Sequence, residues 1–306
     1  MDPGDTPAVL AFVESLCGSM GSASAHRAAR LLDHIDADLS RISPEGLAGP
    51  NSEDLEWTAA ALRGVDARRV RFWAESIEKL SHDGVAVVTS GSLEYPLNLR
   101  LVPNRPPVLF IRGQLLQSDE RAIAVVGTRS ASEEGRTKAA IVAGRLAKAG
   151  VTVVSGLAEG IDTAAHRAAL DAGGRTITVF GTGIDHVFPN SNRGLARDIA
   201  GSGACLSQWW PGQGGTRWTF PLRNIVTSGL SLGTVVVEAS ETSGAKLQAE
   251  DARRHGRRLL LLKHVVASQP WAEALVGEPG VHVVEHVREI MELVALDLDT
   301  ESFSLV

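Results

Sequence analysis

The residues of this chain best suited to chemistry are arginines set among glycines. In "VVGTRSAS", residues 125–132, an apolar run ends on Gly127 and continues with Thr128, Arg129 and Ser130. Gly127 permits a tight turn, and the hydroxyls of Thr128 and Ser130 can cap a following helix while leaving its amide donors free. A helix N-terminus attracts phosphate, and a guanidinium adds a bidentate donor to the same anion. An ion pair between Arg129 and a carboxylate such as Glu133 accounts for the stretch equally well.

Four further segments are built alike. In "VVSGLAEGIDTAAHRAAL", residues 153–170, Gly156 and Gly160 bracket a turn and Asp162 stands near a helix start. Asp162 and His166 lie four apart on one helix face, as an acid/base pair would; a dipole partner beside a packed histidine is the commoner arrangement. In "VFGTGIDHVFPNSNRGLA", Phe188 precedes Asn192 and Arg193 on a loop, which suits base stacking with a phosphate contact. The alternative is a Phe188 tucked into the core beneath its proline. "SQWWPGQGGTRWTFPLRNIVTSGLS" gathers three tryptophans with Arg217, Arg223 and Asn224 among glycines and prolines. With little regular structure to bury them, these aromatics are expected on the surface, facing nucleic acid or protein. "TVVVEASETSGAKLQAEDA" ends a strand on Glu238 and opens a helix at Ser243 and Gly244, another anion-ready terminus.

Other clusters are less promising. "RRHGRR", residues 253–258, places cations at a helix end, where the dipole favours them. "HVVEH", residues 282–286, straddles a strand and a helix, so its rings do not share a face. No metal, no cofactor and no nucleophile–base arrangement is expected.

These loops need a scaffold. Residues 8 to 82 place apolar residues three and four apart, as in "SAHRAARLLDHI" and "ARRVRFWAESIEKL", and predict a small all-helical domain over 1–82. From 83 onward short runs rich in valine and isoleucine appear: GVAVVT, VLFIR, AIAVVG, VTVVS, TITVF, TVVVEA, RLLLLK and VHVV. Most are separated by helical segments, which predicts a second domain over 83–306, an α/β parallel sheet with helices on both faces. Ligands of such sheets bind at the carboxyl ends of the strands. The last residues, "DLDTESFSLV", are expected to be a polar tail.

Composition narrows the partners. A net charge of -6 over 306 residues, with pI near 5.9, excludes a nonspecific DNA coat but allows a local basic cleft. The two cysteines, Cys17 and Cys205, have no metal-like spacing and are expected as free thiols. The N-terminus has no basic leader, and no apolar run reaches a membrane-spanning length. A soluble cytoplasmic protein is expected.

Taken in order, VVGTRSAS, VSGLAEGIDTAAH, GTGIDHVFPNSN, SQWWPG, FPLRN, TVVVEA and SGAKLQAEDARRHGR resemble the DprA/Smf family of DNA-processing proteins. The resemblance reaches residue 258, and "VVTSGSLEYPLNLRLVPNRPPVLFIRG" is similar to the family's lead-in to its core. It implies an extended Rossmann-like sheet behind a sterile-alpha-motif-like helical domain. It also implies a homodimer that binds single-stranded DNA and delivers it to the recombinase RecA, without catalysis. Carried over, Gly127, Thr128 and Arg129 would hold a phosphate. Ser155, Gly156, Gly160 and Asp162 would shape the neighbouring wall, and Phe188, Asn192, Arg193, Arg223 and Asn224 would line the cleft. The chain departs from the family at Ile225, where an arginine is usual, at Gln208, and at Lys263-His264; no C-terminal winged helix is expected. The rival is a nucleotide sensor or a nucleoside monophosphate phosphoribohydrolase of the same superfamily. For that reading "GLSLGTVVVE" is the faint echo and Glu238 the acid/base candidate.

Overall fold

The structure is a computed structural model that describes residues 6–17, 23–34, 39, 52–241 and 243–301. Four helices come first: α1 (Thr6–Cys17), α2 (Ala23–His34), α3 (Ser52–Arg63) and α4 (Ala67–His82). Helix α4 starts where the Asp66 carboxylate accepts the Arg69 N–H at 2.8 Å, an N-cap bond that satisfies an orphan donor. These helices bury Phe12, Leu32 and Trp73 in one apolar cluster with Val85, Phe110, Cys205 and Trp209, so the sheet's edge forms part of their core.

The strands are β1 (Val85–Thr89), β2 (Val108–Gly113), β3 (Ala122–Gly127), β4 (Thr152–Ser155) and β5 (Thr176–Phe180), then β6 (Ala204–Ser207), β7 (Gly233–Glu238), β8 (Arg258–Leu262) and β9 (Val281–Val284). They form one sheet in the order β1-β2-β6-β5-β4-β3-β7-β8-β9. From β6 to β9 every neighbouring pair is parallel. The edge departs from the expected all-parallel sheet, because β1 pairs with β2, and β2 with β6, antiparallel. Between β1 and β2 lies only a turn-rich segment around the short α5 (Leu97–Arg100), in which the Tyr95 hydroxyl donates to the Pro106 carbonyl at 2.6 Å. That segment returns the chain beside β1 instead of carrying it over the sheet, as a parallel crossover would require. β6 has no counterpart among the apolar runs expected to be strands, because "ACLS" is four residues long and small or polar at three of them.

The remaining helices are α6 (Glu133–Lys148), α7 (Ile161–Asp171), α8 (Arg193–Ser202), α9 (Thr219–Leu230), α10 (Gly244–Arg254), α11 (Lys263–Ser268), α12 (Pro270–Glu273) and α13 (Val287–Glu301). They cover both faces. Val153 of β4 packs in the cluster that holds α6 and α7, whereas its neighbour Val154 packs with Val226 and Leu230 of α9. Helix α13 overturns the expected tail as far as residue 301. The last five residues lie outside the described ones. Helix α9 likewise replaces the expected irregular segment, with Pro221 tolerated in its first turn.

The tryptophans correct the expectation of an exposed aromatic surface. Trp209 is fully buried, and Trp210 packs 4.8 Å from the ring of Trp73 and 5.9 Å from Phe110. β6 delivers both beneath the N-terminal helices, so a partner already covers them. Of the three, only Trp218 is exposed. Cys17 and Cys205 are unpaired, and burial pushes both thiols up to about 12. Among the described residues no helix is long and apolar enough to cross a membrane.

Candidate functional site

After β3 the chain continues to β4 on one side of that strand and returns as β7 on the other. Such a reversal opens a crevice at the carboxyl ends of the strands. The loop that leaves β3 is held tightly there. A Cβ on Gly127 would meet Ile161 Cγ1 at 2.5 Å and the Glu238 carbonyl at 2.6 Å. The Thr128 N–H donates to the Glu238 carbonyl at 2.8 Å, and the Thr128 carbonyl accepts the Ile161 N–H at 3.3 Å. Gly160 has φ +83°, and any side chain there would press the carbonyl oxygens of Thr128 and Arg129 at 2.5 Å.

Arg129 emerges from this clamp into solvent. Its guanidinium carbon lies 5.3 Å from the centre of the Phe220 ring, and no carboxylate among the described residues pairs with it. The ion pair with Glu133 is therefore not formed. Lys138 instead takes Glu134, at 2.7 Å.

The N-terminus of α6, expected to be free for phosphate, is occupied. Its cap is Ser132, whose hydroxyl accepts the Gly135 N–H at 2.9 Å, and not Thr128 or Ser130. The Glu238 carboxylate accepts the Ser132 N–H at 3.1 Å and the Ser132 hydroxyl at 2.8 Å. A protein carboxylate thus holds the place assigned to an external anion, since both seek the positive end of the helix. The same bonds engage Glu238, the acid/base candidate of the rival reading, as a cap of α6.

Asp162 and His166 are packing residues. The Asp162 carboxylate accepts the Ala158 N–H at 3.3 Å; burial raises its pKa while Arg223 beside it opposes the rise. His166 is sealed on the buried face of α7, with Nδ1 2.7 Å from the Thr176 hydroxyl, which itself donates to the Val153 carbonyl. The ring Nδ1 therefore carries the hydrogen. Burial, with Arg223 adding to it, pushes His166 down to about 3, so it stays neutral. The Ser155 hydroxyl is spent on the Val125 carbonyl at 2.7 Å, tying β4 to β3.

Helix α9 supplies the opposite wall through Phe220, Arg223, Asn224 and Thr227, spaced on one face by three and four. Arg223 lies in the cleft floor, donating to the Val179 carbonyl at 3.1 Å, where Gly156 leaves room that any Cβ would take from its guanidinium. Burial lowers the Arg223 pKa and Asp162 counters it. Ile225 points the other way, into the apolar cluster with Leu99 and Leu109. The departure from arginine at that position therefore takes nothing from this wall of the cleft.

Two connected cavities result. A slot of about 140 Å³ is lined by Phe180, Phe188, Pro189 and Phe220, with Arg129 and Arg223 at its polar edge. Phe188 is 52% exposed and sits 5.4 Å from Phe220, so it is not the core residue of the alternative reading. A wider cleft of about 520 Å³ runs from Gly127, Thr128 and Arg129 past Gly156, Asp162, Arg223 and Asn224 to the start of α10. Four expected residues line neither cavity: Ser155 and Gly160, which hold the loops behind the wall, and Asn192 and Arg193. Asn192 is buried and donates to the Leu157 carbonyl at 2.9 Å and the Thr163 hydroxyl at 2.8 Å. Arg193 is exposed on the first turn of α8, 3.3 Å from the Asn190 side-chain oxygen. No metal-holding cluster occurs among the described residues.

Phe220, Thr227 and Gln248 were not expected in the site. Phe220 stands three residues before Arg223, which on a helix shares its face, but only the existence of α9 reveals the spacing. Chemically, the slot fits a flat ring against aromatic edges, and the unpaired guanidinium at its mouth fits an anion on that ring's substituent.

The family model described as DNA recombination-mediator protein A matches residues 86–295. Protein Smf of Escherichia coli K12 is 33% identical over 245 residues, which cover 78% of this chain and 65% of that protein. The DNA processing protein DprA of Streptococcus pneumoniae is 40% identical over 163 residues, covering 53% of this chain and 57% of the relative. The chain spans about half the length of the curated relatives it matches, 45% in the case of Protein Smf of Synechocystis. The X-ray structure of S. pneumoniae DprA has a TM-score of 0.69 at 27% identity, covering 86% of this chain and 92% of that one. A structure of DNA processing protein A from Helicobacter pylori, described for its single-stranded DNA binding mode, has a TM-score of 0.62 at 22% identity and covers 70% of this chain and 96% of that one. That likeness is one of fold.

Proposed function

The chain belongs to the DNA recombination-mediator protein A family, and from that premise we propose that its cleft binds single-stranded DNA. The observation that carries the reading is Arg129, an unpaired guanidinium packed on Phe220 between an apolar slot and a polar cleft. Aromatic faces with a cation beside them take any base, while the phosphate contact is indifferent to sequence. Phe188 and Phe220 hold a base, Arg129 holds the adjoining phosphate, and Arg223 with Asp162 forms the floor beneath. The role is one of binding and not of catalysis, supported by Glu238, Asp162 and His166 being engaged in caps and packing. The protein acts as a homodimer in the cytoplasm, protects strands during DNA recombination or natural transformation, and delivers them to RecA.

Titration with oligothymidylate at two salt concentrations tests the reading. Wild-type protein binds more tightly at low salt and prefers single strands to duplex. Arg129→Ala weakens binding to every sequence alike and reduces the salt dependence by about 0.7 in the log–log slope, the share of one single-strand phosphate. Unchanged affinity in that variant removes the assigned cleft.

A further inference from the structure

Three helices begin at the rim of the cleft, and their N-termini differ in what satisfies them. That of α6 is taken by Glu238, while α7 has Asp162 in its first turn and gives its Ile161 N–H to the Thr128 carbonyl. Helix α10 has no acidic residue in its first turn, and Ser243, at its N-cap, makes no side-chain bond into the helix. The Ser243 hydroxyl instead accepts the Ser240 N–H at 3.3 Å. Among the described residues neither the Gly244 nor the Ala245 N–H finds an acceptor.

Independent features of the same place point to an anion. Gln248 lies one turn into α10, is 2% exposed, lines the cleft, and has a side-chain Nε2 without a partner. Thr227 of α9 also lines the cleft and has a buried hydroxyl without a partner. Leaving such donors unmet is costly, and a bound acceptor recovers that cost. Lys246 stands exposed in the first turn of α10, where the helix dipole disfavours a cation unless an anion sits nearby. Bare amides, two buried unmet side chains and a misplaced lysine call for an oxygen-rich anion.

We propose that the N-terminus of α10 is a second phosphate subsite of the cleft, formed by the Gly244 and Ala245 amides and completed by Gln248 and Thr227, with Lys246 beside it. The shared chemistry is a phosphate group, supplied by a nucleic-acid backbone or by a free nucleotide. That a DNA backbone supplies it rests on the single-strand reading above; the subsite itself does not.

The test uses the full chain and amide NMR, with inorganic phosphate, thymidine monophosphate and oligothymidylate as probes. Saturable shifts of the Gly244 and Ala245 amides with inorganic phosphate are expected. Lys246→Glu lowers phosphate affinity about tenfold while leaving thermal stability equal or higher, because an acid suits that helix end. A merely structural Lys246 would not separate the two readouts. Gln248→Met keeps the volume, loses the donor and weakens phosphate in the same way. Absence of saturable shifts, or affinities unaltered in both variants, overturns the subsite. Oligothymidylate that displaces phosphate from these amides identifies the backbone as the source, whereas displacement by thymidine monophosphate alone identifies a free nucleotide. Should oligothymidylate bind in an Arg129-dependent manner while neither it nor inorganic phosphate shifts Gly244, the subsite fails and the single-strand reading survives. Should phosphate bind there and no oligonucleotide bind at all, the reverse holds.

Discussion

Arg223 and Gly156 show how a single position sets the character of the cleft. The guanidinium is half-buried because a glycine opposite leaves space, the Val179 carbonyl accepts its N–H and Asp162 offsets its charge. Gly156→Ala puts a methyl group into that space and drives Arg223 out into the cleft, leaving Asp162 buried without its cation. A loss of about 2–4 kcal/mol is expected from the unpaired carboxylate, read as a lower denaturant midpoint at unchanged slope. A variant of wild-type stability would mean that Arg223 has an equally good second position. Sequence reading at this scale recovered the exposed Arg129 and the glycines around it, since turn chemistry is local. It misplaced Asn192 and Arg193, whose partners, Leu157 and Thr163 for one and Asn190 for the other, follow from how the loop folds back.

At the scale of elements, the helix termini decide where an anion can settle. Glu238 comes from the end of β7 and caps α6, more than a hundred residues earlier in the chain. Glu238→Ala is expected to lower stability by about 1 kcal/mol, the worth of a charged cap, without abolishing DNA binding. Thermal melts and the oligothymidylate titration check both halves. Loss of DNA binding at undiminished stability would assign Glu238 to the ligand and not to the helix. Most strands were legible as runs of valine and isoleucine, because buried parallel strands have little room for anything else. β6 and α9 were not. One is too short and too small in its side chains, and the other hides behind a proline and three tryptophans that suggest a surface.

For the whole molecule, Trp73 and Trp210 join the N-terminal helices to the sheet, with Glu14 accepting the Trp73 indole N–H at 3.0 Å. One shared core predicts one cooperative transition: denaturation followed by tryptophan fluorescence and by far-ultraviolet dichroism should coincide. Trp210→Ala is expected to cost about 2–4 kcal/mol through the cavity it leaves. Two separated transitions in the wild-type protein would show instead that the helices fold as an independent unit.

By itself the sequence determined the alternation of buried strands and helices, the glycine-hinged loops at the strand ends and the ordered motifs that mark the family. All of these are properties of residues near one another in the chain. Tertiary structure alone decided that Glu238 fills the α6 terminus, that Phe220 meets Arg129, that two tryptophans are covered and that α10 starts bare at the cleft. Each of those outcomes depends on which distant group arrives within hydrogen-bonding or van der Waals reach. Pattern and propensity do not encode that proximity; the closing of the sheet does.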